Sequence, residues 1–295
     1  MTLVATLIAN PLNPVVDETA TARARRALSA SGSPVVLAAG IATDIDCAAD
    51  AAPGLIEERL RLALGGLPID VVVQERAGRR KHLFLADMDS TMIGQECIDE
   101  LADFAGVKAH VSEITERAMR GEIAFEPALR ERVALLEGLP VTVVDEVIAS
   151  RITLTPGGRE LVSTMKAHGA YAALVSGGFT LFTARIAALT GFDENHANIL
   201  EVADGRLTGT VREPILGREA KLAALLRLRQ ERGLAPGDTM AVGDGANDLA
   251  MLGEAGLGVA YHAKPAVAAA ACMRVDHGDL TALLYAQGYR DADLA

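Results

Sequence analysis

The sequence predicts an α/β protein with a parallel sheet, an inserted helical segment and a smaller α/β unit ahead of them. Short apolar runs typical of strands alternate with longer runs of helical composition along most of the chain. Several strand-like runs end abruptly in polar, glycine-containing sequence. With 295 residues, 50% of them hydrophobic, the chain has about two domains' length and enough apolar material for their cores.

The first 80 residues show the element order of a ferredoxin-like unit, βαββαβ. In chain order, the runs are a strand at 2–9, a helix at 18–30, strands at 34–39 and 41–47, a helix at 53–64 and a strand at 69–74. Gly65 and Gly66 follow the second helix, where glycine commonly ends one. A basic run at 76–81 predicts a linker, so we expect a first domain over 1–80.

The remaining residues, 81–295, are expected to form the larger domain around a parallel sheet. Strand-like runs at 82–86, 171–175 and 239–242 are separated by helical runs, as parallel strands require. Ligands of such sheets bind beyond the carboxyl ends of the strands. The polar clusters that follow these three strands are therefore expected to meet at one site.

A helix-rich stretch lies between the first and second polar clusters. Its apolar residues, such as Ile98 and Leu101 and later Leu129 and Val133, have helical spacing. The stretch is too long for an ordinary crossover connection. We therefore expect an inserted helical cap, at about 93–153, that covers the strand ends.

The composition limits which kinds of binding partner and which cellular compartment are expected. The formal net charge is −11, from 28 Lys and Arg against 39 Asp and Glu, and such an acidic chain is a poor binder of nucleic acids. No basic leader precedes the first apolar run, and no stretch of 18 apolar residues lacks a charge, so no membrane-spanning helix is expected. The three cysteines are widely spaced, as is typical of a reducing compartment. We expect a cytoplasmic protein without nucleic-acid or membrane partners.

Two of the polar clusters offer carboxylates for a divalent cation. Asp87 and Asp89 follow the first strand, and residues two apart on an extended segment face the same way. Asp244 and Asp248 follow the third strand. Such oxygen ligands suit a hard cation, and Mg²⁺ fits best, with substrate phosphate as a further ligand. An Asp-x-Asp pair alone is equally typical of a solvated turn, but three aligned clusters are hard to obtain by chance.

The same clusters predict phosphoryl transfer. A carboxylate beside a divalent cation can attack phosphorus and form an aspartyl phosphate, and Asp87 is the best-placed nucleophile. Asp89 is the candidate that protonates the leaving oxygen and then activates water. Ser176 and the glycine amides from Gly177 onward are candidates for holding phosphate oxygens. Lys221 is the candidate cation, because a lysine in a first helical turn is disfavoured by the helix dipole.

Together these motifs resemble those of the haloacid dehalogenase-like hydrolases. They are DMDST at 87–91, SGG at 176–178, the lysine at 221 and GDGAND at 243–248. The resemblance implies a Rossmann-like core, Mg²⁺ as cofactor and an aspartyl-phosphate intermediate. It implies the Asp87 side chain, the Asp89 backbone carbonyl and Asp244 as metal ligands. Asn247 and Asp248 would orient water, metal or phosphate, so that Asp248 acts on the metal indirectly.

The cap narrows the resemblance to the phosphoserine phosphatases. The runs that carry it are DMDSTMIGQECIDELA at 87–102 and MRGEIAFEPALRERVALLEGL at 119–139. By this resemblance Glu96 meets the substrate ammonium and Arg132 its carboxylate, while Met119 and Phe125 pack beside the substrate. Phosphoserine carries an amine, a carboxylate and a phosphate, and one Glu, one Arg and one Mg²⁺ site match those groups.

Simpler roles stay open for these four residues. Arg132 equally suits a solvated helix face, and Glu96 suits a carboxylate at a helix start. Met119 and Phe125, at helical spacing, equally suit the core. The motif context favours the functional roles.

The expected function is Mg²⁺-dependent hydrolysis of O-phospho-L-serine to L-serine and phosphate, the last step of serine biosynthesis in the family that the chain resembles. One alternative is a phosphatase of a related small ester, or a phosphotransferase to an acceptor such as homoserine. An amino-acid sensor with a vestigial core is another hypothesis, which the intact motif residues oppose. The first domain resembles ACT domains by element order, and we expect it to serve in packing, in a homodimer contact or in amino-acid binding.

Overall fold

A computed structural model describes residues 2–48, 50–120 and 122–295, and only the backbone of Met119. The first part of the chain forms an antiparallel sheet with two helices. In chain order its elements are β1 (Leu3–Ala9), α1 (Glu18–Ala27), β2 (Val35–Ala38), β3 (Ala42–Cys47), α2 (Pro53–Leu64) and β4 (Ile69–Glu75). The strand order β2-β3-β1-β4 is that of a ferredoxin-like unit, so this prediction is confirmed.

Local chemistry sets the bounds of these helices. The Asp17 side chain accepts a hydrogen bond from the Ala20 amide at 2.7 Å and so begins α1. Pro53 opens α2, and Gly65, with φ of +65°, ends it in the left-handed conformation that glycine adopts most readily. The second helix therefore has the predicted bounds, whereas the first ends three residues early, at Ala27.

A parallel sheet of six strands forms the centre of the rest of the chain, in the order β12-β11-β10-β5-β6-β7. Its strands are β5 (Leu83–Ala86), β6 (Tyr171–Phe179), β7 (Glu194–Asn198), β10 (Thr239–Gly243), β11 (Leu257–Tyr261) and β12 (Met273–Val275). A separate hairpin pairs β8 (Leu200–Ala203) with β9 (Arg206–Val211). The helices after the cap are α7 (Gly158–Ala167), α8 (Thr180–Thr190), α9 (Arg218–Glu231), α10 (Leu249–Glu254), α11 (Pro265–Ala270) and α12 (Ala282–Ala286). The predicted parallel core is confirmed.

One predicted strand end is wrong. We expected the second core strand to stop at Val175, but β6 continues through the Ser-Gly-Gly segment to Phe179. Its pairing with β7 shifts register between these two residues. The glycines allow this irregular extended backbone, which carries the polar segment along the sheet edge instead of away from it.

Within the described part of the chain, four α-helices lie between β5 and α7 and form the cap. They are α3 (Cys97–Phe104), α4 (Lys108–Met119), α5 (Phe125–Ala134) and α6 (Val143–Ser150). A β-bridge joins Ile93 to Leu154, and the Thr155 amide donates to the Met92 carbonyl at 3.0 Å. The segments that enter and leave the cap therefore run side by side.

The first sheet is joined to the end of the chain by a buried carboxylate. Asp70, on β4, accepts hydrogen bonds from the backbone amides of residues 276–278, at 2.7 to 3.2 Å. Ile8 and Val72 of the same sheet belong to one apolar cluster with Leu283 of α12. One face of the first sheet is thus covered by α12. Within the described ranges, no helix has the length and apolar character that crossing a membrane requires.

Candidate active site

The predicted polar clusters meet in one cavity, of about 1330 Å³, between the strand ends and the cap helices. Strands β10, β5 and β6 are neighbours in the sheet, so the segments after them lie together. Of the residues singled out in the sequence, the cavity lining includes Asp87, Asp89, Glu96, Phe125, Arg132, Ser176, Gly177, Lys221, Asp244 and Asn247. The side chain of Met119 lies outside the described part of the chain, so its predicted contact stays a prediction.

A buried lysine bridges two carboxylates at the floor of the cavity. Lys221 Nζ lies 2.7 Å from Asp87 Oδ1 and 2.6 Å from Asp248 Oδ1. The three residues are 2%, 5% and 0% exposed, respectively. Burial lowers the pKa of Lys221, but the Asp87 and Asp248 carboxylates outweigh it and raise the value above the ordinary one. The ammonium therefore stays charged at neutral pH and can attract an anionic group into the cavity.

Asp87 stands at the end of the central strand β5. Its amide donates to the Val242 carbonyl of β10 at 3.0 Å, and its Oδ1 accepts from the Met88 amide at 2.7 Å. Three residues after Asp87, Ser90 has a φ of +56°, so the chain turns sharply there. The turn leaves both Asp87 and Asp89 on the cavity wall.

Asp89 has the protonation behaviour of a general acid and base. Burial raises the pKa of Asp89 to about 7; the Glu96 carboxylate adds to the shift, and the Cys97 thiol and amide oppose it. Its Oδ1 has no hydrogen-bond partner among the described residues. A carboxyl group that titrates near neutral pH and keeps a free oxygen can give a proton and take one back.

Three carboxylates lie close enough to share a cation. Asp87, Asp244 and Asp248 each place one oxygen within 4.8 Å of the others. Burial raises the pKa of Asp244 to about 6, and the Asp248 and Glu96 carboxylates add to the shift. This crowding of negative charge and the all-oxygen donor set fit a hard divalent cation. The expected role of the Asp89 backbone carbonyl as a ligand stays a prediction.

The Ser-Gly-Gly segment lies next to Asp89 on the cavity lining. Ser176 is buried, and its Oγ accepts a hydrogen bond from the Gly178 amide at 2.8 Å. A Cβ on Gly178 would lie 3.0 Å from Ser176 Oγ and 3.1 Å from Asp89 Oδ2. A side chain at this position would therefore intrude between the two functional groups.

Arg132 presents an unpaired guanidinium to the cavity. It lies on α5 and donates to Thr115 Oγ1 at 3.3 Å and to the Ala128 carbonyl at 3.2 Å. Other cap arginines, Arg117 and Arg130, form ion pairs with Glu131 and Glu213, whereas no described carboxylate is close enough to pair with Arg132. Burial lowers the pKa of Arg132, against the nearby Asp99 and Glu96 carboxylates. A half-buried cation without a carboxylate partner favours the ligand-binding role over a solvated helix face.

Glu96 directly precedes α3 and lines the same cavity as Lys221 and Ser176. Its Oε1 accepts a hydrogen bond from Ser90 Oγ at 2.8 Å. This bond fixes the carboxylate toward the cavity, which its side chain lines. The position at a helix start is thus compatible with both of the roles left open in the sequence.

Phe125 covers two glycines of the core and does not belong to the apolar interior. Its side chain is 43% exposed, and its ring lies 3.8 Å from a Cβ placed on Gly177 and 3.6 Å from one placed on Gly217. The expected helical spacing of Met119 and Phe125 is wrong, because α4 ends at the first and α5 begins at the second.

Further cavity residues did not emerge from the sequence. Thr115 contacts Arg132 from a different helix, a pairing that has no local sequence signal. Asp99 also lines the cavity; burial raises its pKa, and Arg132 lowers it. Its place three residues after Glu96, which caps α3, is the signal that would have indicated it.

Comparison with known proteins places these motifs in a family. Residues 84–253 match the family model of the haloacid dehalogenase-like hydrolases. The chain is 48% identical over 224 residues to a phosphoserine phosphatase of Polaromonas sp., covering 74% of this chain and 95% of that protein. It is 46% identical over 211 residues to a phosphoserine phosphatase of Archaeoglobus fulgidus, covering 71% of this chain and 61% of that longer protein.

A solved structure shares the arrangement of both parts of the chain. The crystal structure of a probable phosphoserine phosphatase from Vibrio cholerae, in unliganded form, superposes with a TM-score of 0.80 at 32% identity. The match covers 97% of this chain and 86% of that one. The resemblance drawn from the motifs is confirmed: the chain belongs to the haloacid dehalogenase-like hydrolases and, within them, to the phosphoserine phosphatase family.

Proposed function

We propose that the protein hydrolyses O-phospho-L-serine to L-serine and phosphate, as the last step of serine biosynthesis, with Mg²⁺ as cofactor. The observation that carries this proposal is the unpaired Arg132 guanidinium, which shares one cavity with the Asp87–Lys221 pair. A phosphomonoesterase needs only the Asp87–Lys221 pair. The Arg132 guanidinium adds a site for a substrate carboxylate.

Each charged group of phosphoserine has a partner of opposite charge in the cavity. Lys221 and the Ser176 hydroxyl receive the phosphate oxygens, Arg132 the carboxylate and Glu96 the ammonium. Phe125, which lies over Gly177 and Gly217, packs against the apolar part of the substrate. A substrate lacking any one of the three groups leaves one of these charges in the cavity without its partner, which is how such a site discriminates.

The reaction proceeds in two displacements at phosphorus. An Asp87 carboxylate oxygen attacks phosphorus, the bond from phosphorus to the serine oxygen breaks, and Asp89 protonates that oxygen as serine leaves. A water molecule then gives its proton to Asp89 and attacks phosphorus, which breaks the bond to Asp87 and releases phosphate. Lys221 stays beside Asp87 throughout and offsets the charge of the transferring group.

Asp87 and Asp244 would hold the Mg²⁺, with Asp248 as an indirect partner. When bound, the ion offsets negative charge on the phosphoryl group. Chelation with EDTA should therefore lower phosphate release by about two orders of magnitude or more, and added Mg²⁺ should restore it. Phosphate release from phosphoserine, measured before and after exhaustive chelation, checks this. Undiminished release in metal-free protein would contradict the assignment.

Arg132→Ala should separate substrates by their carboxylate. We expect kcat/KM for phosphoserine to fall about 10- to 100-fold, the scale of one hydrogen-bonded charge pair, and kcat/KM for O-phosphoethanolamine to change little. Arg130→Ala is the matched control, because Arg130 lies on the same helix but pairs with Glu213 outside the cavity. Equal losses on both esters would reject the role of Arg132 in binding the carboxylate.

A screen of phosphate release over small phosphate esters tests the substrate itself. Phosphoserine is expected to be the preferred ester. Preference for another ester would overturn the substrate assignment and leave the hydrolase family in place. The same reactions with homoserine added reveal phosphoryl transfer to an alcohol, which would favour the phosphotransferase alternative.

We also propose that residues 1–80 form a domain separate from the core at 81–295, with the cap at about 93–153, and that the first domain mediates a homodimer. Support comes from its own sheet and from the exposed side chains of Leu55 and Leu62 on one helix. The described cysteines form no disulfide, which favours a cytoplasmic location.

A further inference from the structure

Asn198 reaches the phosphate-binding region from a strand to which the sequence assigned no functional residue. It is the last residue of β7, the edge strand next to β6. In the shifted register of these strands, it pairs with Phe179. Its side chain is polar but only 1% exposed. A buried amide of this kind requires partners for both of its polar atoms.

The Asn198 side chain joins two segments that are far apart in sequence. Its Nδ2 donates to the Gly177 carbonyl at 2.9 Å and to the Leu216 carbonyl at 3.2 Å. Its Oδ1 accepts from the Leu216 amide at 2.7 Å. Two donors and one acceptor are thus in use, a combination that a carboxamide supplies and a carboxylate does not.

The bond to Gly177 determines where the next amide points. The Gly177 carbonyl and the Gly178 N–H belong to one trans peptide, so they point in opposite directions. With the carbonyl held by Asn198, the N–H donates to Ser176 Oγ at 2.8 Å. The hydroxyl oxygen then acts as acceptor toward Gly178, and its proton is left for an acceptor in the cavity. An oxygen of a phosphate group is such an acceptor.

The bonds to Leu216 determine where α9 begins. Leu216 directly precedes Gly217, the residue that caps α9, and Lys221 lies in the first turn of that helix. Since both backbone polar groups of Leu216 are held by one side chain, the entry to the helix is fixed relative to the Ser-Gly-Gly segment. The distance between the Ser176 hydroxyl and the Lys221 ammonium depends on that link.

We propose that Asn198 is a positioning residue, which sets the Ser176 hydroxyl and the Lys221 ammonium at the spacing that one phosphate group requires. The inference rests on the proposed function in that these two groups hold the substrate phosphate. Asn198 itself acts through Gly177 and Leu216 and contributes no reacting atom.

Inorganic phosphate, used as a competitive inhibitor, tests the spacing of Ser176 and Lys221, because its binding involves no bond making or breaking. We expect Asn198→Ala and Asn198→Asp to raise the phosphate inhibition constant about tenfold, the scale of one misplaced hydrogen bond to a charged group. The aspartate variant keeps the shape and the acceptor for Leu216 but loses both donors, so it should be no milder than alanine. The inhibition constant of L-serine, which Arg132 and Glu96 bind, should stay at the wild-type value.

Asn195→Ala is the matched control on the same strand. Asn195 accepts one hydrogen bond from Thr183 Oγ1 at 2.8 Å, away from both phosphate-binding segments. It should lower thermal stability without changing the phosphate constant. An unchanged phosphate constant in the Asn198 variants, or a parallel loss of phosphate and serine affinity, would overturn the positioning role.

Two choices keep the outcome clear. If the alanine variant does not fold, the phosphate and L-serine inhibition constants of the isosteric aspartate variant are compared with those of wild type instead. Phosphate inhibition is measured with p-nitrophenyl phosphate as the reporter ester. A wild-type protein that released phosphate from this ester but not from phosphoserine would therefore overturn the proposed function and leave the test of Asn198 intact.

Discussion

Asp87→Asn is expected to abolish phosphate release from phosphoserine, by at least about 10⁴-fold, because it removes the atom that attacks phosphorus. The fold should persist. An asparagine has the same shape and can still accept the hydrogen bond from the Met88 amide. Lys221 loses one carboxylate partner but keeps Asp248 at 2.6 Å, so its charge stays paired.

Steady-state phosphate release with Mg²⁺, together with circular dichroism and a thermal melt, measures both parts of this expectation. Asp204→Asn is a suitable control, because Asp204 lies exposed in the turn between β8 and β9, where asparagine is well tolerated. Hydrolysis at a rate near that of wild type in a folded Asp87→Asn protein would contradict the assignment of Asp87 as the nucleophile.

Asp89→Asn is expected to slow phosphoserine turnover about 10²- to 10⁴-fold, the range that general acid–base catalysis supplies. The carboxyl whose pKa burial raises to about 7 both protonates the serine oxygen and takes the proton of water. An amide does neither. The rate lost when the leaving oxygen is no longer protonated depends on the leaving group. The rate lost when water is no longer activated does not depend on it.

The leaving group of the ester therefore separates the two roles of Asp89. p-Nitrophenolate leaves without needing a proton, so Asp89→Asn should still be phosphorylated by p-nitrophenyl phosphate and then stall. A burst of p-nitrophenol and a phosphorylated Asp87, detected by mass spectrometry after acid quench, are the expected signs. Equal slowing of both esters with no phosphorylated protein would show that Asp89 does not have the two roles.

The chemistry of the site could be predicted because it follows strand ends. Asp87 and Asp244 come directly after apolar strand runs, and Ser176 was placed at such a point by the same pattern. Neighbouring parallel strands must end at one edge, so local sequence was enough to bring these residues together. The first sheet was predictable for a related reason, since its strands and helices are contiguous in the chain.

The remaining features depend on contacts that no local pattern records. Asn198 is the last residue of a polar edge strand, and only the irregular course of β6 brings it to Gly177. Thr115 meets Arg132 across two cap helices. The unpaired state of Arg132, which decides between its two open roles, depends on the carboxylate partners that Arg117 and Arg130 find in Glu131 and Glu213.

The carboxylate of Asp70 also bears on how the protein is made. It is bonded to amides more than 200 residues further along the chain, and the helix that covers its sheet comes later still. During synthesis from the amino terminus, strands β1 to β4 can pair before residues 276–278 and α12 have left the ribosome, so one face of their sheet lacks its native contacts at that stage. Docking of the first sheet therefore follows the synthesis of residues 276–286 and is a late step compared with the pairing of its own strands.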